Sequence, residues 1–281
     1  MLRIKTDGAG TMKKRWLLLP VAAAAAIPLC WTGLVTRTYT IETDRLAEGQ
    51  RFRAAVVSDL HSTVYGNRQQ DLIDEILLGN PDAVLMPGDI YDDERTPEGT
   101  ELFLAGLSGR VPLYYATGNH EFRVENMDDI WALFDRYGVT VLRDQTVEST
   151  LNGVPVTITG LDDPAAHRPI GDSFAAAAAR CASALPDAGF HILLSHRPER
   201  WEQYKDFDLA VSGHAHGGQV RIPGILNGLL APNQGWFPAR AGGLYQNGTL
   251  SHVVSRGLAV YWYLPRVCNP PEVVFVDVVG T

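Results

Sequence analysis

Short apolar runs, each closing on polar or glycine-bearing residues, recur along the chain from Ala54 onward. Ala54–Ser58 leads into Asp59-Leu60-His61, Ala83–Met86 into Pro87-Gly88-Asp89, and Val111–Thr117 into Gly118-Asn119-His120. Phe190–Leu194 leads into Ser195-His196, and Leu209–Val211 into Ser212-Gly213-His214-Ala215-His216. Runs this short and this continuously apolar predict strands buried on both faces. Between them the period lengthens. Gln69–Leu78 sets Leu72, Ile73, Ile76 and Leu77 on one stripe, and Pro97–Leu107 and Met127–Tyr137 behave alike, which predicts helices packed on one side. Alanine-rich Ser173–Leu185, beginning after Asp172, predicts another. Strand and helix in alternation predict a layered α/β domain. Past Gln219 the pattern turns to Gly, Pro and short β-like runs (Leu250–Ser255, Val273–Val278), read as a second sheet completing a sandwich. The globular domain is assigned to residues 51–281, with 36–50 as a connector or edge strand.

One apolar run is of another kind. Trp16–Val35 carries no charge over 20 residues, long enough as a helix to span a bilayer's hydrocarbon of roughly 30 Å. Lys13, Lys14 and Arg15 precede it, so the positive-inside rule keeps residues 1–15 cytoplasmic and puts the body outside. The expectation is a single-pass plasma-membrane anchor over 16–35. A cleaved signal peptide is the alternative, because the alanine run offers A-x-A sites. Cys30 follows Ile27-Pro28-Leu29, a poor match for lipoprotein processing, and Met12 before Lys-Lys-Arg resembles a natural start.

Composition narrows the class. With 46% hydrophobic and 20% charged residues over 281 positions, the chain is neither disordered nor a disulfide-dense miniprotein. Residues 36–281 hold 19 basic against 31 acidic groups, a net of −12. So acidic a body lacks the clustered cations that nucleic acid requires, and no nucleic-acid partner is expected. Cys181 and Cys268 belong to no Cys/His cluster, which excludes a zinc ribbon; two buried thiols are expected, with an extracellular disulfide as the alternative.

The chemistry gathers at the predicted strand ends, where layered α/β folds build sites. Two aspartates, an asparagine and five of the eight histidines sit there. In an extended chain Asp59 and His61 point the same way, and so do His214 and His216. Each pair then reaches one cation, with Gly213 and Gly217-Gly218 letting the backbone approach. Asp89 offers a carboxylate that bridges two ions, and Asn119 a neutral oxygen. Such mixed N/O ligands suit two divalent ions (Mn, Fe, Zn or Ni) in open coordination, a pairing that activates water and a phosphoryl group.

The blocks Asp59-Leu60-His61, Gly88-Asp89, Gly118-Asn119-His120-Glu121, Ser195-His196 and Gly213-His214-Ala215-His216 resemble those of the calcineurin-like metallophosphoesterases. More narrowly, Pro81-Asp82-Ala83-Val84, Gly217-Gly218-Gln219-Val220, Ser255-Arg256-Gly257-Leu258 and Pro270-Pro271-Glu272 resemble the membrane-associated bacterial branch related to UDP-2,3-diacylglucosamine pyrophosphatases. The resemblance implies a four-layer α-β-β-α sandwich and a dinuclear site. One metal would be held by Asp59, His61, Asp89 and His216, and the other by Asp89, Asn119, His196 and His214. His120 would face the substrate as the catalytic residue, oriented by Glu121 where the family often has Asp. Arg123 and Arg256 are phosphate-contact candidates, each with a surface or structural salt bridge as the plain alternative. His167, His191 and His252 match no motif and read as structural.

The activity so implied is hydrolysis of a phosphodiester or pyrophosphate, in a lipid-linked or cell-envelope substrate. A phosphomonoesterase or phosphoprotein phosphatase, and a catalytically silent envelope binding module, are the alternatives. Pro223–Phe237 places Ile225, Leu226, Leu229, Leu230, Trp236 and Phe237 soon after the last histidines. Such a loop either folds over its own core or stays exposed to meet an acyl chain or a membrane interface.

Overall fold

The computed structural model describes residues 33–167, 173–261 and 263–281. Most of the expected anchor, residues 16–32, lies outside them. Its last residue, Val35, is a correction, because it opens a strand. Among the described residues no helix is long and apolar enough to cross a membrane.

Fourteen strands are labelled in chain order: β1 (Val35–Thr43), β2 (Arg51–Val56), β3 (Ala83–Pro87), β4 (Leu113–Ala116) and β5 (Thr140–Val141) come first. Then follow β6 (Gln145–Leu151), β7 (Val154–Gly160), β8 (Phe190–Leu194), β9 (Leu209–Ser212) and β10 (Leu230–Ala231). Last are β11 (Gly235–Trp236), β12 (Gly243–Asn247), β13 (Leu250–Val254) and β14 (Glu272–Gly280). The helices are α1 (Gln70–Leu78), α2 (Glu98–Leu107), α3 (Met127–Arg136), α4 (Pro164–His167) and α5 (Phe174–Ser183). Ser173 caps α5, its hydroxyl accepting from the Ala176 N–H at 3.1 Å.

Two sheets form the centre, in the orders β1-β14-β2-β3-β4-β5 and β12-β13-β9-β8-β7-β6. Side-chain alternation sorts each strand between layers. Ala54, Val56 and Leu85 join Ile158, Ile192 and Val211 in the core between the sheets, where Phe52 meets Phe190 edge-on at 5.6 Å. Ala55, Val84 and Met86 face outward against Leu72 and Ile76 of α1, Phe103 of α2 and Phe134 of α3. Leu193 and Ala210 face outward on the second sheet, against Phe174, Ala178 and Cys181 of α5. The layers therefore run α-β-β-α, and strands such as β3 and β8 are buried along their whole length.

The C-terminal third departs from expectation. It does not make a second sheet of its own. β14 inserts into the first sheet, antiparallel to β2 and parallel to β1, whereas β13 joins the second sheet beside β9. The second sheet is completed by the β6–β7 hairpin, turned by Asn152 and Gly153 at φ of 47° and 78°. Both described cysteines are free; Cys181 is buried, but Cys268 is half-buried rather than sunk in the core.

Candidate metal centre

Strands β2, β3 and β4 run parallel to one another, as do β8 and β9, and the loops that follow them converge. The approach is not through extended pairs. Asp59, His61, Asp89, His214 and His216 all adopt left-handed φ, between 45° and 66°, so each strand breaks sharply at its end. Non-glycine residues rarely accept this, and the cost is held by the surrounding packing. Two glycines make room: a Cβ at Gly118 would strike the Asp89 carboxylate, and one at Gly213 would strike Ser58 and Asp59.

The candidate ligand residues gather into two adjoining groups. Ligand atoms of Asp59, His61 and His216 lie within 4.8 Å of one another, and so do those of Asp89, His196 and His214. Asp89 joins them, its Oδ2 standing 3.0 Å from His196 Nε2 and 3.5 Å from His61 Nε2. All these side chains are buried except that of His216, which is partly open. Several polar atoms there lack protein partners. Neither nitrogen of His61 is hydrogen-bonded, and Asn119 Oδ1 is buried without a donor. Orphaned acceptors cost free energy unless something else satisfies them, and a cation fits this set of oxygens and imidazole nitrogens.

Neighbouring bonds fix which nitrogens face inward. His196 Nδ1 bonds the Pro87 carbonyl at 2.8 Å, turning Nε2 toward Asp89. His214 Nε2 lies 2.8 Å from Asn233 Oδ1 and 2.8 Å from the Arg197 guanidinium, which leaves Nδ1 facing His196 at 3.2 Å. Arg197 is itself held by both oxygens of Asp163.

Crowded carboxylates and imidazoles shift one another. Burial alone would raise the Asp89 carboxyl, but His196, then His61 and His120, hold it well below the usual range. Burial likewise opposes the charged form of His196, yet Asp89 pushes that imidazole up to about 10. Burial, reinforced by His196 and Arg197, keeps His214 well below its ordinary value, and burial brings His216 down to about 4. Both are therefore neutral near pH 7, the state a metal ligand needs.

His120 sits beside the cluster, its ring edge-on to His61 with centroids 4.3 Å apart. Its Nδ1 bonds Asp93, not Glu121 as expected. Glu121 is buried and accepts from the N–H groups of Asp89, Ile90 and Gly118, at 3.2, 2.9 and 2.9 Å, so it braces the loops instead. Burial, with the charge of Asp89, pushes its carboxyl up to about 7. Arg123 places Nη1 3.2 Å from His120 Nε2 at the mouth. Arg256 is withdrawn from any phosphate: it is buried in an ion pair with Glu272 at 2.8 Å. His191 bonds Thr157 and His252 bonds Ser212, at 2.7 and 2.9 Å, whereas His167 stands 3.6 Å from Asp144. Sequence reasoning missed Asp93, Arg197 and Asn233. The Asp92-Asp93 pair three residues after Asp89 was a readable signal; Asn233 had none.

The site opens into a cavity of about 260 Å³ lined by Asn119, His120, Arg123, Arg197, Pro232 and Asn233. Larger depressions, of about 560 and 630 Å³, lie around Arg53 and around Leu77 and hold none of the candidate ligands.

Fold and cluster agree with the comparisons. Residues 52–218 match the calcineurin-like phosphoesterase family model, and the chain belongs to that family. It is 29% identical over 252 residues to the uncharacterized metallophosphoesterase YkuE of Bacillus subtilis, covering 85% of this chain and 83% of YkuE. A Bos taurus protein named as a transmembrane protein with a metallophosphoesterase domain is 27% identical over 239 residues, 79% of this chain and 51% of that protein. The NAD nucleotidase NadN of Haemophilus influenzae shares the fold, with a TM-score of 0.53 at 17% identity over 75% of this chain and 46% of NadN.

Proposed function

We propose that this chain hydrolyses a phosphodiester or pyrophosphate through two divalent ions held at the strand-end cluster. One observation carries the reading: the buried Asp89 carboxylate lies between two groups of candidate ligands, close to His61 on one side and His196 on the other. Asp59, His61, Asp89 and His216 then hold one ion, and Asp89, Asn119, His196 and His214 the other. Mn, Fe, Zn and Ni all suit these donors. Bound there, the pair supplies Lewis acidity toward a phosphoryl oxygen and toward water.

The protein's own groups do the rest. With His214 Nδ1 as a ligand, Nε2 carries the hydrogen and donates it to Asn233, which fixes the ring. Asp93 accepts from His120 Nδ1–H and supports the imidazolium form, whose Nε2–H at the mouth is the proton delivered to the departing oxygen, leaving the neutral ring. Arg123, next to that nitrogen, is placed to contact a phosphate oxygen. A held proton donor suits the poor alkoxide leaving group of a diester.

The basic Lys13-Lys14-Arg15 and the apolar 16–35 support membrane attachment with the domain outside the cytoplasm. A cell-envelope phosphodiester fits that topology. A UDP-2,3-diacylglucosamine-type lipid, the finer class that the resemblance implies, fits the opposite one. The test compares bis-p-nitrophenyl phosphate with p-nitrophenyl phosphate on Mn-loaded protein. Faster diester turnover is expected. A monoester preference would make the chain a phosphomonoesterase, and no turnover with two ions bound would make it a binding module.

A further inference from the structure

The large apolar side chains left exposed are concentrated in one place. Of nine among the described residues, seven lie between Ile222 and Leu264. Ile225 is 83% exposed, Trp236 66% and Phe237 68%. The β10–β11 hairpin pairs Leu230 with Trp236, and its turn, Pro232-Asn233, forms a wall of the metal-centre cavity. A bridge between Val220 and Val267 ties this region to the segment bearing Tyr263 and Leu264. In that segment Tyr261 sets its ring against His61, centroids 5.8 Å apart. Apolar rim and site share one mouth.

Two further observations say what meets the rim. The chain has 32 Asp and Glu residues, yet none lies between Leu209 and Pro271, which holds four arginines. This stretch of the rim adds no carboxylate to repel a phosphate-bearing surface. The apolar run 16–35 also joins the domain at this end. The Val35 N–H donates to the Pro271 carbonyl at 3.0 Å, and Val35 pairs with Glu272. Glu272 accepts from the Arg256 N–H, and the next residue, Gly257, abuts Asp59.

We propose that this rim is a docking surface for a phospholipid bilayer, with Ile225, Trp236 and Phe237 at the headgroup–acyl boundary and the cavity mouth facing lipid. Tryptophan and aliphatic side chains on a stretch without Asp or Glu suit that boundary. Docking holds the mouth at the surface whichever ester the site cleaves.

The full chain is reconstituted in phosphatidylcholine–phosphatidylglycerol vesicles, with and without chain-brominated lipid. Subtracting the emission of Trp236→Phe from that of wild type isolates Trp236 among the six tryptophans. Brominated lipid is expected to quench Trp236 by about half or more, and Ile225→Glu with Phe237→Glu to abolish most of that quenching. Equal Trp236 emission in both lipids overturns the proposal. So does shielding of Trp236 that appears only as two copies associate at rising protein concentration. Quenching requires no turnover, so failure of the hydrolase reading leaves this test standing. Turnover of soluble bis-p-nitrophenyl phosphate is followed in parallel, and the Glu variants are expected to match wild type.

Discussion

Two buried imidazoles, His252 and His61, differ in one respect. His252 on β13 is complete: Nε2 bonds the Ser212 hydroxyl at 2.9 Å, Nδ1 faces Arg240 at 3.3 Å, and Tyr204 packs edge-on to its ring. His61, in the loop after β2, is incomplete. Neither of its ring nitrogens has a hydrogen-bond partner, with the Asp89 and Asp92 carboxylates 3.5 Å away. Both residues are equally hidden, so burial does not distinguish function from scaffold. Satisfaction does. A closed hydrogen-bond set supports the fold, and an unsatisfied one on strained backbone awaits a cation.

The comparison breaks most severely at Asp89. Asp89→Asn is expected to lose both ions and take turnover to background, because one carboxylate serves both groups. Metal analysis of the purified variant checks it, and two tightly retained ions would remove the bridging role. His120→Ala is expected to keep both ions and lose about 100-fold in turnover, the usual scale of general acid–base catalysis. Asp93 acts through His120. Asp93→Asn is therefore expected to cost about tenfold with both ions retained, and Asp93→Glu to recover part of the loss. Equal losses in Asn and Glu variants would show a merely structural residue.

On the scaffold side the effect is one of pH. Burial, with the charge of Arg240, brings His252 down to about 3 in the fold, against about 6.5 in the unfolded chain. The unfolded chain thus takes up a proton below pH 6.5 that the folded one refuses. The stability so contributed is full above pH 6.5 and is lost at about 1.4 kcal/mol per pH unit as pH falls toward 3. His252→Gln is expected to flatten that slope in urea titrations between pH 6.5 and 5, without changing metal content. An unchanged slope would contradict the neutral, closed niche.

The same contrast explains what could be read in advance. Strands β2, β3, β4, β8 and β9 were legible because burial on both faces leaves continuous apolar runs. β1 is an edge strand of mixed exposure, and only its pairing with β14 shows that Val35–Thr43 belongs to the sandwich. The placement of β14 between β1 and β2 depends on contacts far apart in sequence, which no local pattern encodes. The β6–β7 hairpin carries a local signal in Asn152-Gly153, the dipeptide of a tight β-turn. At the site the motif side chains do lie close together, but by left-handed turns rather than extended pairs. What spacing could not reveal was the partners: Asp93 in place of Glu121 on His120, Asn233 on His214, and Glu272 drawing Arg256 into the interior.

The central claim is that Asp89 joins two ion sites. Anomalous diffraction from crystals grown with Mn tests it most directly. Two peaks about 3.5–4 Å apart are predicted, both adjoining Asp89, one beside Asp59, His61 and His216 and the other beside Asn119, His196 and His214. A single peak, or two peaks that do not share Asp89, would contradict the account.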